Sequence, residues 1–406
     1  MRFLYTAGVR LYGFGIRVAS LFLPKAKKWI AGRTNWSSHL PNTQGKEVVW
    51  FHCASLGEFD QGLPLMAKIK EEHPEIFLLV TFFSPSGFEH YQKRDHQADY
   101  VCYLPLDTPK NAHRFIQHFS PSKSFFVKYE FWGNYILQAK ATGSKIYNVS
   151  GLFRPKQRFF KWHGGFFRSI LQQFDHFFVQ NESSKELLAS IGIKNVTISG
   201  DSRFDRVLEN REKAKDNSLI EEFKGNDELV IIGSSWPADE AILTPWINST
   251  EQKILIAPHQ VDDKHIEQIF SGLTRKTERY TEIESAPKPD TEVLILDTIG
   301  HLASAYKYGA IAYVGGGFSG SLHNILEPAV FGLPVIFGPK HSRFPEAQAF
   351  IDGGFGFSVA TTAEFEVAFK SIKDDFDSIS SNEQQFVESN VGASRLIFDN
   401  TFNNHD

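Results

Sequence analysis

The chain has 406 residues, 42% of them hydrophobic and 22% charged, ordinary proportions for a soluble globular protein of two or three domains; this excludes disorder, collagen and coiled-coil rods as its main state. Two cysteines, Cys53 and Cys102, exclude a disulfide framework and a Cys-rich metal site, and fit a reducing compartment. The net charge of −4 hides an asymmetry: the first 46 residues carry eight Lys or Arg and no acid, so the body is acidic and a poor partner for nucleic acid.

The basic segment is also apolar. Leu4, Val9, Leu11, Phe14, Ile16, Val18, Leu21, Phe22 and Leu23 lie in one stretch that Pro24 ends, with Lys25, Lys27 and Lys28 following. Arg10 and Arg17 make a transmembrane span unfavourable, at about 2.5–3.5 kcal/mol each. Seven apart, they share a helix face and can reach phosphates while bulky residues face acyl chains. Residues 1–46 are expected to form a shallow membrane anchor on an anionic surface. A true span and a helix packed on its own protein are the alternatives.

From residue 47, apolar runs alternate with helix-length segments. Strands are expected at 48–53, 76–83, 100–104, 124–128, 145–149, 176–180 and 196–199. Continuous apolar strands alternating with helices predict a parallel sheet covered on both faces. Residues 206–228 are polar and charged and read as a linker. A second alternation follows, with strands at 229–233, 253–258, 293–297, 310–314 and 334–337 and helix after 363. The expected fold is α/β: two Rossmann-like halves, 47–205 and 229–406, with ligands beyond the C-terminal ends of the strands.

Candidate chemistry sits at those strand ends. After the first strand comes Ser55-Leu56-Gly57-Glu58-Phe59-Asp60. Either Glu58 or Asp60 can act as a general base, and a first-turn acid can equally be a helix cap. Ser84-Pro85-Ser86-Gly87 is a phosphate cradle or, more simply, an N-cap. Lys128-Tyr129-Glu130 follows another strand. In the second half, Ser234 and Ser235, Pro258 and His259, and Gly315-Gly316-Gly317 each follow a strand, and His323-Asn324-Ile325-Leu326-Glu327-Pro328 opens a helix. The glycines permit close approach to a phosphate or sugar, and Glu327 is placed to accept from ribose hydroxyls. No Walker A loop, dinucleotide fingerprint or metal-ligand spacing is present. Cys53, inside a strand, reads as a small core residue.

In this order, Ser55-Leu56-Gly57-Glu58, Glu130-Phe131-Trp132, Ser199-Gly200-Asp201-Ser202-Arg203-Phe204-Asp205, Gly233-Ser234-Ser235, Ala257-Pro258-His259, the three glycines, His323-Asn324-Ile325-Leu326-Glu327-Pro328 and Pro334–Pro339 resemble the lipid A Kdo (3-deoxy-D-manno-octulosonic acid) transferases over nearly the whole chain. The resemblance implies a B-type glycosyltransferase fold, two Rossmann-like domains facing across a cleft. It implies transfer of Kdo from CMP-Kdo to a lipid A precursor at the cytoplasmic face of the inner membrane, with no resident cofactor and no metal. Glu58 matches the family's catalytic base. Ser234, Ser235, Pro258, His259, Gly315, Gly316, Gly317, His323, Asn324 and Glu327 would bind the donor. Ser55, Gly57, Lys128, Glu130, Arg154 and Arg203 would serve the acceptor. The chain departs from the family pattern at Lys128, which replaces an acid, at Gly133, which replaces a proline, and at Asp201 and Arg203, where Asn and Lys are usual. Another lipid-directed glycosyltransferase using a UDP-sugar, and a non-catalytic glycolipid-binding module, are the competing functions.

Overall fold

Alternation within the apolar strands decides which face each side chain covers. In β1 (Val48–Cys53), Val49, Phe51 and Cys53 enter one core while Val48 and Trp50 enter another. The computed structural model describes residues 1–38 and 40–403. Both cores belong to a seven-stranded parallel sheet formed by β1, β2 (Phe77–Phe82), β3 (Tyr100–Tyr103), β4 (Lys123–Val127), β5 (Lys145–Gly151), β6 (His176–Val179) and β7 (Val196–Ile198), in the order β3-β2-β1-β4-β5-β6-β7. Phe51, Phe125 and Tyr147 are in register on adjacent strands, and their rings stack at 4.8 and 5.1 Å. Some of the chain's 38 phenylalanines serve in such cross-strand stacks.

The second sheet is also parallel and seven-stranded. It contains β8 (Leu229–Ser235), β9 (Lys253–Pro258), β10 (Thr277–Arg279), β11 (Val293–Ile295), β12 (Ile311–Val314), β13 (Val335–Phe337) and β14 (Gly356–Ser358), ordered β10-β11-β9-β8-β12-β13-β14. All twelve expected strands form. The outermost, β10 and β14, escaped the sequence analysis, because three-residue edge strands with polar or exposed members show no apolar run.

In both sheets the strand order reverses at a central pair, β1/β4 and β8/β12. Neighbouring connections leave such a pair in opposite directions, so a crevice opens at its C-terminal edge.

The expected boundaries need correction. The compact units are residues 1–206 with 391–406, and residues 207–390. Residues 206–228 are not a linker. They hold most of the helix Arg203–Glu212 and all of Ser218–Lys224, whose Ile220 and Phe223 are buried in the second unit's core. Charge on the outer face masked that apolar pair. Nor does the second unit reach residue 406. Ile397 and Phe398 are buried against the first sheet, and the Asp205 carboxylate accepts from the N–H groups of Gly392 and Ser394, both at 2.6 Å, capping the helix Ala393–Phe398.

The N-terminal segment is part of the first unit. It forms α1 (Arg2–Ala19) and α2 (Pro24–Ala31), and no described helix is long and apolar enough to cross a membrane. One face of α1 packs on the protein. Tyr5 donates to Asp107 at 2.5 Å, Thr6 is buried, and Gly13 lies against Leu106 so closely that a Cβ would be 2.6 Å from its Cδ2. The other face stays bare: Phe3, Leu4, Leu11 and Phe14 are exposed, as are Leu21 and Phe22 in the turn to α2, Phe3 and Phe22 by about 80%.

Candidate active site

β1 ends at Cys53 and α3 (Leu56–Glu72) begins almost at once, with Ser55 as its N-cap. This puts Glu58 in the first turn, folded back over the strand end. Its carboxylate accepts from the Ala54 N–H, so the helix-capping contact is present. The same carboxyl is buried and lies close to that of Glu130. Burial first, and the Glu130 charge second, push its pKa up to about 8. The short β1–α3 turn leaves little solvent around the acid. Asp60, the competing acid, is engaged by Arg94 at 2.7 Å. Gly57 has negative φ and open space where a Cβ would stand, so no tight turn requires it. It leaves the surface beside Glu58 uncovered.

The partner pair arrives from β4. Lys128 sits just past it at φ 55°, a left-handed conformation uncommon for a residue with a Cβ, and its N–H bonds the Val149 carbonyl. The twist turns the chain so that Glu130 faces β1. Trp132 Nε1–H donates to Glu130 at 2.7 Å, and a buried relay supports the same oxygen. Trp50 Nε1–H donates to the Thr81 hydroxyl at 2.8 Å, His52 Nδ1 lies 2.8 Å from the same hydroxyl, and His52 Nε2 lies 3.2 Å from Glu130 Oε2. Sequence analysis missed this relay; the only trace was three polar or N–H-bearing side chains inside apolar strands.

From β7 come Asp201 and Arg203. Arg203 grips Asp201 through Nε at 2.9 Å and a terminal nitrogen at 2.7 Å, and Gln61 of α3 donates to the other oxygen at 2.9 Å. Burial alone would raise the Asp201 pKa, but Arg203 overrides it and holds it near 2. Arg203 is thus paired with Asp201 within the protein. Arg154 is exposed, its guanidinium 6.0 Å from the Tyr129 ring centroid. Beside Glu130 a cavity of about 410 Å³ is walled by Tyr5, Phe131, Trp132, Phe159 and Phe167, with Lys156 and Arg158 also lining it. Of this basic run, sequence analysis had singled out Arg154 alone.

In the second unit, Ser234 again bends the chain at a strand end, with φ 54°. Ser235 is fully buried and donates to Glu240 at 2.9 Å, an internal bond. The glycine loop after β12 follows a different logic from that expected. A Cβ on Gly315 would fall 2.2 Å from the Ser234 carbonyl and one on Gly317 2.5 Å from the Gly338 nitrogen; Gly316 has φ 89°. The glycines let the protein's own loops pass. Asp239, not singled out from sequence, pins this arrangement by accepting from Trp236 N–H, Gly316 N–H and the Tyr313 hydroxyl at 3.0, 3.0 and 2.8 Å. A cavity of about 400 Å³ lies there, lined by Trp236, Asp239, Gly316 and Phe318 among others.

His259, directly after Pro258 at the end of β9, stacks on Trp236 at 4.4 Å and neighbours His323 at 4.5 Å. His323 Nε2 accepts from Trp236 Nε1–H at 3.2 Å, which places its proton on Nδ1. Burial, then His259, drives the His323 pKa down to about 4, and burial lowers that of His259. Both rings are neutral at pH 7 and offer N–H donors, not positive charge. Asn324 donates to Glu327 at 3.3 Å, and Glu327 stands in the first turn of the helix Leu326–Ala329. Among the described residues, no three His, Cys, Asp or Glu side chains cluster as a metal site.

Residues 30–206 match the family described as 3-Deoxy-D-manno-octulosonic-acid transferase (kdotransferase). A 3-deoxy-D-manno-octulosonic acid transferase of Aquifex aeolicus is 27% identical over 328 residues, 79% of this chain and 84% of the relative. One of Rickettsia felis is 26% identical over 321 residues, 76% of this chain and 68% of the relative. Among solved structures, a UDP-GlcNAc 2-epimerase from Neisseria meningitidis superposes with TM-score 0.64 at 14% identity, covering 88% of this chain and all of that one. MurG from Acinetobacter baumannii superposes with TM-score 0.52 at 11% identity, covering 87% and 98%. These two likenesses establish the fold, a pair of parallel-sheet α/β units of B-type glycosyltransferase kind. The resemblance to Kdo transferases carried by the sequence motifs is borne out.

Proposed function

We propose that this chain, which resembles the Kdo transferases over more than three quarters of its length, transfers Kdo from CMP-Kdo to a phosphorylated lipid A precursor, with Glu58 as general base. The observation that carries the proposal is the pair of carboxyls from Glu58 and Glu130, held at the reversal point of the first sheet beside Lys128 and an aromatic cavity.

Forming the glycosidic bond requires an acceptor hydroxyl to lose its proton as it attacks the anomeric carbon. A carboxylate in hydrogen-bond reach takes that proton. Glu58 fits because its surroundings raise its basicity while the Gly57 side remains open. Glu130, held by His52 and Trp132, supplies the like charge that raises that basicity further. The first unit would take the acceptor, its aromatic cavity receiving apolar parts and Lys156 and Arg158 the phosphates. The second unit would take the donor. Neutral His259 and His323, with backbone N–H groups near the glycine loop, would donate hydrogen bonds to the departing CMP phosphate. Nothing in these steps calls for a resident cofactor or a metal. The bare apolar face of α1 and its basic residues support docking on an anionic membrane surface, the cytoplasmic face of the inner membrane, where such an acceptor resides.

Nucleotide-dependent thermal stability tests the donor class. CMP should raise the melting temperature and UDP should not. Protection by UDP alone would replace this proposal with a UDP-sugar transferase.

A further inference from the structure

α1, α2 and residues 105–111, a loop that runs into the first turn of the helix Pro109–Phe119, surround a second cavity of the first unit, about 630 Å³, a size ordinary for a small-molecule site. It is lined by Arg10, Arg17 and Arg33 together with Phe14, Trp29 and Leu106, and by no Asp or Glu among the described residues. Arg33 is a buried cation without a carboxylate partner among the described residues. Its guanidinium donates to the carbonyls of Leu104 at 2.8 Å, Trp29 at 3.1 Å and Phe83 at 2.6 Å, and lies 3.8 Å over the Trp29 ring and 4.7 Å from that of Tyr103. Burial lowers its pKa to about 9. Dipoles and ring faces alone hold a charge that would gain from a nearby anion. Arg10 and Arg17, one face apart by two helical turns, are exposed and make no ion pair among the described residues. Phe14 lines the cavity and also belongs to the bare apolar face with Leu11, Val18 and Phe22, so the charged cavity adjoins the surface that would meet acyl chains.

We propose that this cavity is a binding site for the phosphodiester headgroup of an anionic phospholipid, gripped by Arg10 and Arg17 above Arg33, with the acyl chains lying over the apolar face of α1. Guanidinium groups suit this ligand because their paired N–H donors match phosphate oxygens. The inference rests on the membrane-facing reading of α1 and adds a discrete headgroup site to it. It places that site beneath α1, apart from the cavity beside Glu130.

The test uses the full chain and a soluble probe, monomeric dihexanoyl-phosphatidylglycerol, with binding followed by calorimetry and thermal shift. Wild type should bind it, and the double variant Arg10→Gln/Arg17→Gln should lose about tenfold or more in affinity. Lys25→Gln/Lys27→Gln removes the same charge outside the cavity and should lose less than about threefold. Equal losses in the two variants would reduce the effect to diffuse electrostatics and overturn the proposal. So would equal binding of dihexanoyl-phosphatidylcholine, or equal protection by inorganic phosphate, which would mark a free-phosphate site. Co-sedimentation with phosphatidylglycerol vesicles reports on membrane docking separately: soluble-lipid binding that persists without sedimentation supports the site and refutes the docking.

Discussion

Replacing Glu130 with Gln removes the like charge that faces Glu58 while keeping an oxygen for Trp132 and His52. The carboxyl of Glu58 stands near pKa 8 instead of 4.5, through burial and then through Glu130. A base of that pKa is roughly one tenth ionised at pH 7 and about nine tenths ionised at pH 9. In wild type, kcat/KM for transfer should therefore rise about tenfold between pH 7 and 9 and then level off. In Glu130→Gln the rise should begin at lower pH, by about one unit, the effect of one like charge across partly solvated protein. In Glu58→Gln the rise should vanish and the rate fall by about 10²–10⁴. The same shift has a stability signature. Because the folded pKa lies above the unfolded one, the stabilisation is full below about pH 4.5 and is lost as pH climbs through 8. Glu58→Gln should thus melt higher than wild type at pH 9, with an upper bound of roughly 5 kcal/mol. The assay is transfer of radiolabelled sugar across pH 6–9.5, paired with thermal melts at each pH. A flat wild-type profile, an unmoved limb in Glu130→Gln, or a Glu58→Gln variant retaining more than about a tenth of the rate would refute the assignment.

Other consequences are sharp enough to measure. Arg203→Ala strands the buried Asp201 charge and should destabilise the first unit by about 3–5 kcal/mol in denaturant melts; an unchanged midpoint with raised acceptor KM would place Arg203 in the acceptor site. Asp239→Ala removes the acceptor for three buried donors and should cost about 2–4 kcal/mol and weaken CMP binding, seen by calorimetry; full CMP affinity would mean the glycine loop holds its shape unaided. Phe3→Ser with Phe22→Ser should leave the melting temperature unchanged and lower sedimentation with anionic vesicles by about tenfold; unaltered sedimentation would contradict membrane docking through α1.

The strands were legible because both faces of each sheet are covered, so the central strands are mostly apolar, with runs such as Ile231-Ile232 or Phe125-Phe126. The C-terminal strand ends followed from that, and with them Glu58, Lys128 and Ser235. What the order of residues left open was engagement. Arg203 and Asp60 looked as available as Glu58 until the ion pairs Arg203–Asp201 and Arg94–Asp60 were visible. Asp205 and Ser394 meet across 189 positions of sequence, a contact that no local pattern announces, and that is why the last residues were assigned to the wrong unit. His52 and Thr81 were invisible as a pair because each is a lone polar residue in its strand, and only the β1–β2 register sets them side by side. The N-terminal helices carried two messages in one composition: small residues such as Gly13 for packing on the protein, and large ones such as Phe22 left bare.

The central claim is tested most directly by incubating the full chain with CMP-Kdo and a lipid A precursor and weighing the lipid product. The account predicts a product heavier by one or more whole Kdo residues, formed without added metal and lost in Glu58→Gln. An unchanged lipid mass with CMP-Kdo, or a mass gain that appears only with a UDP-sugar, would contradict it.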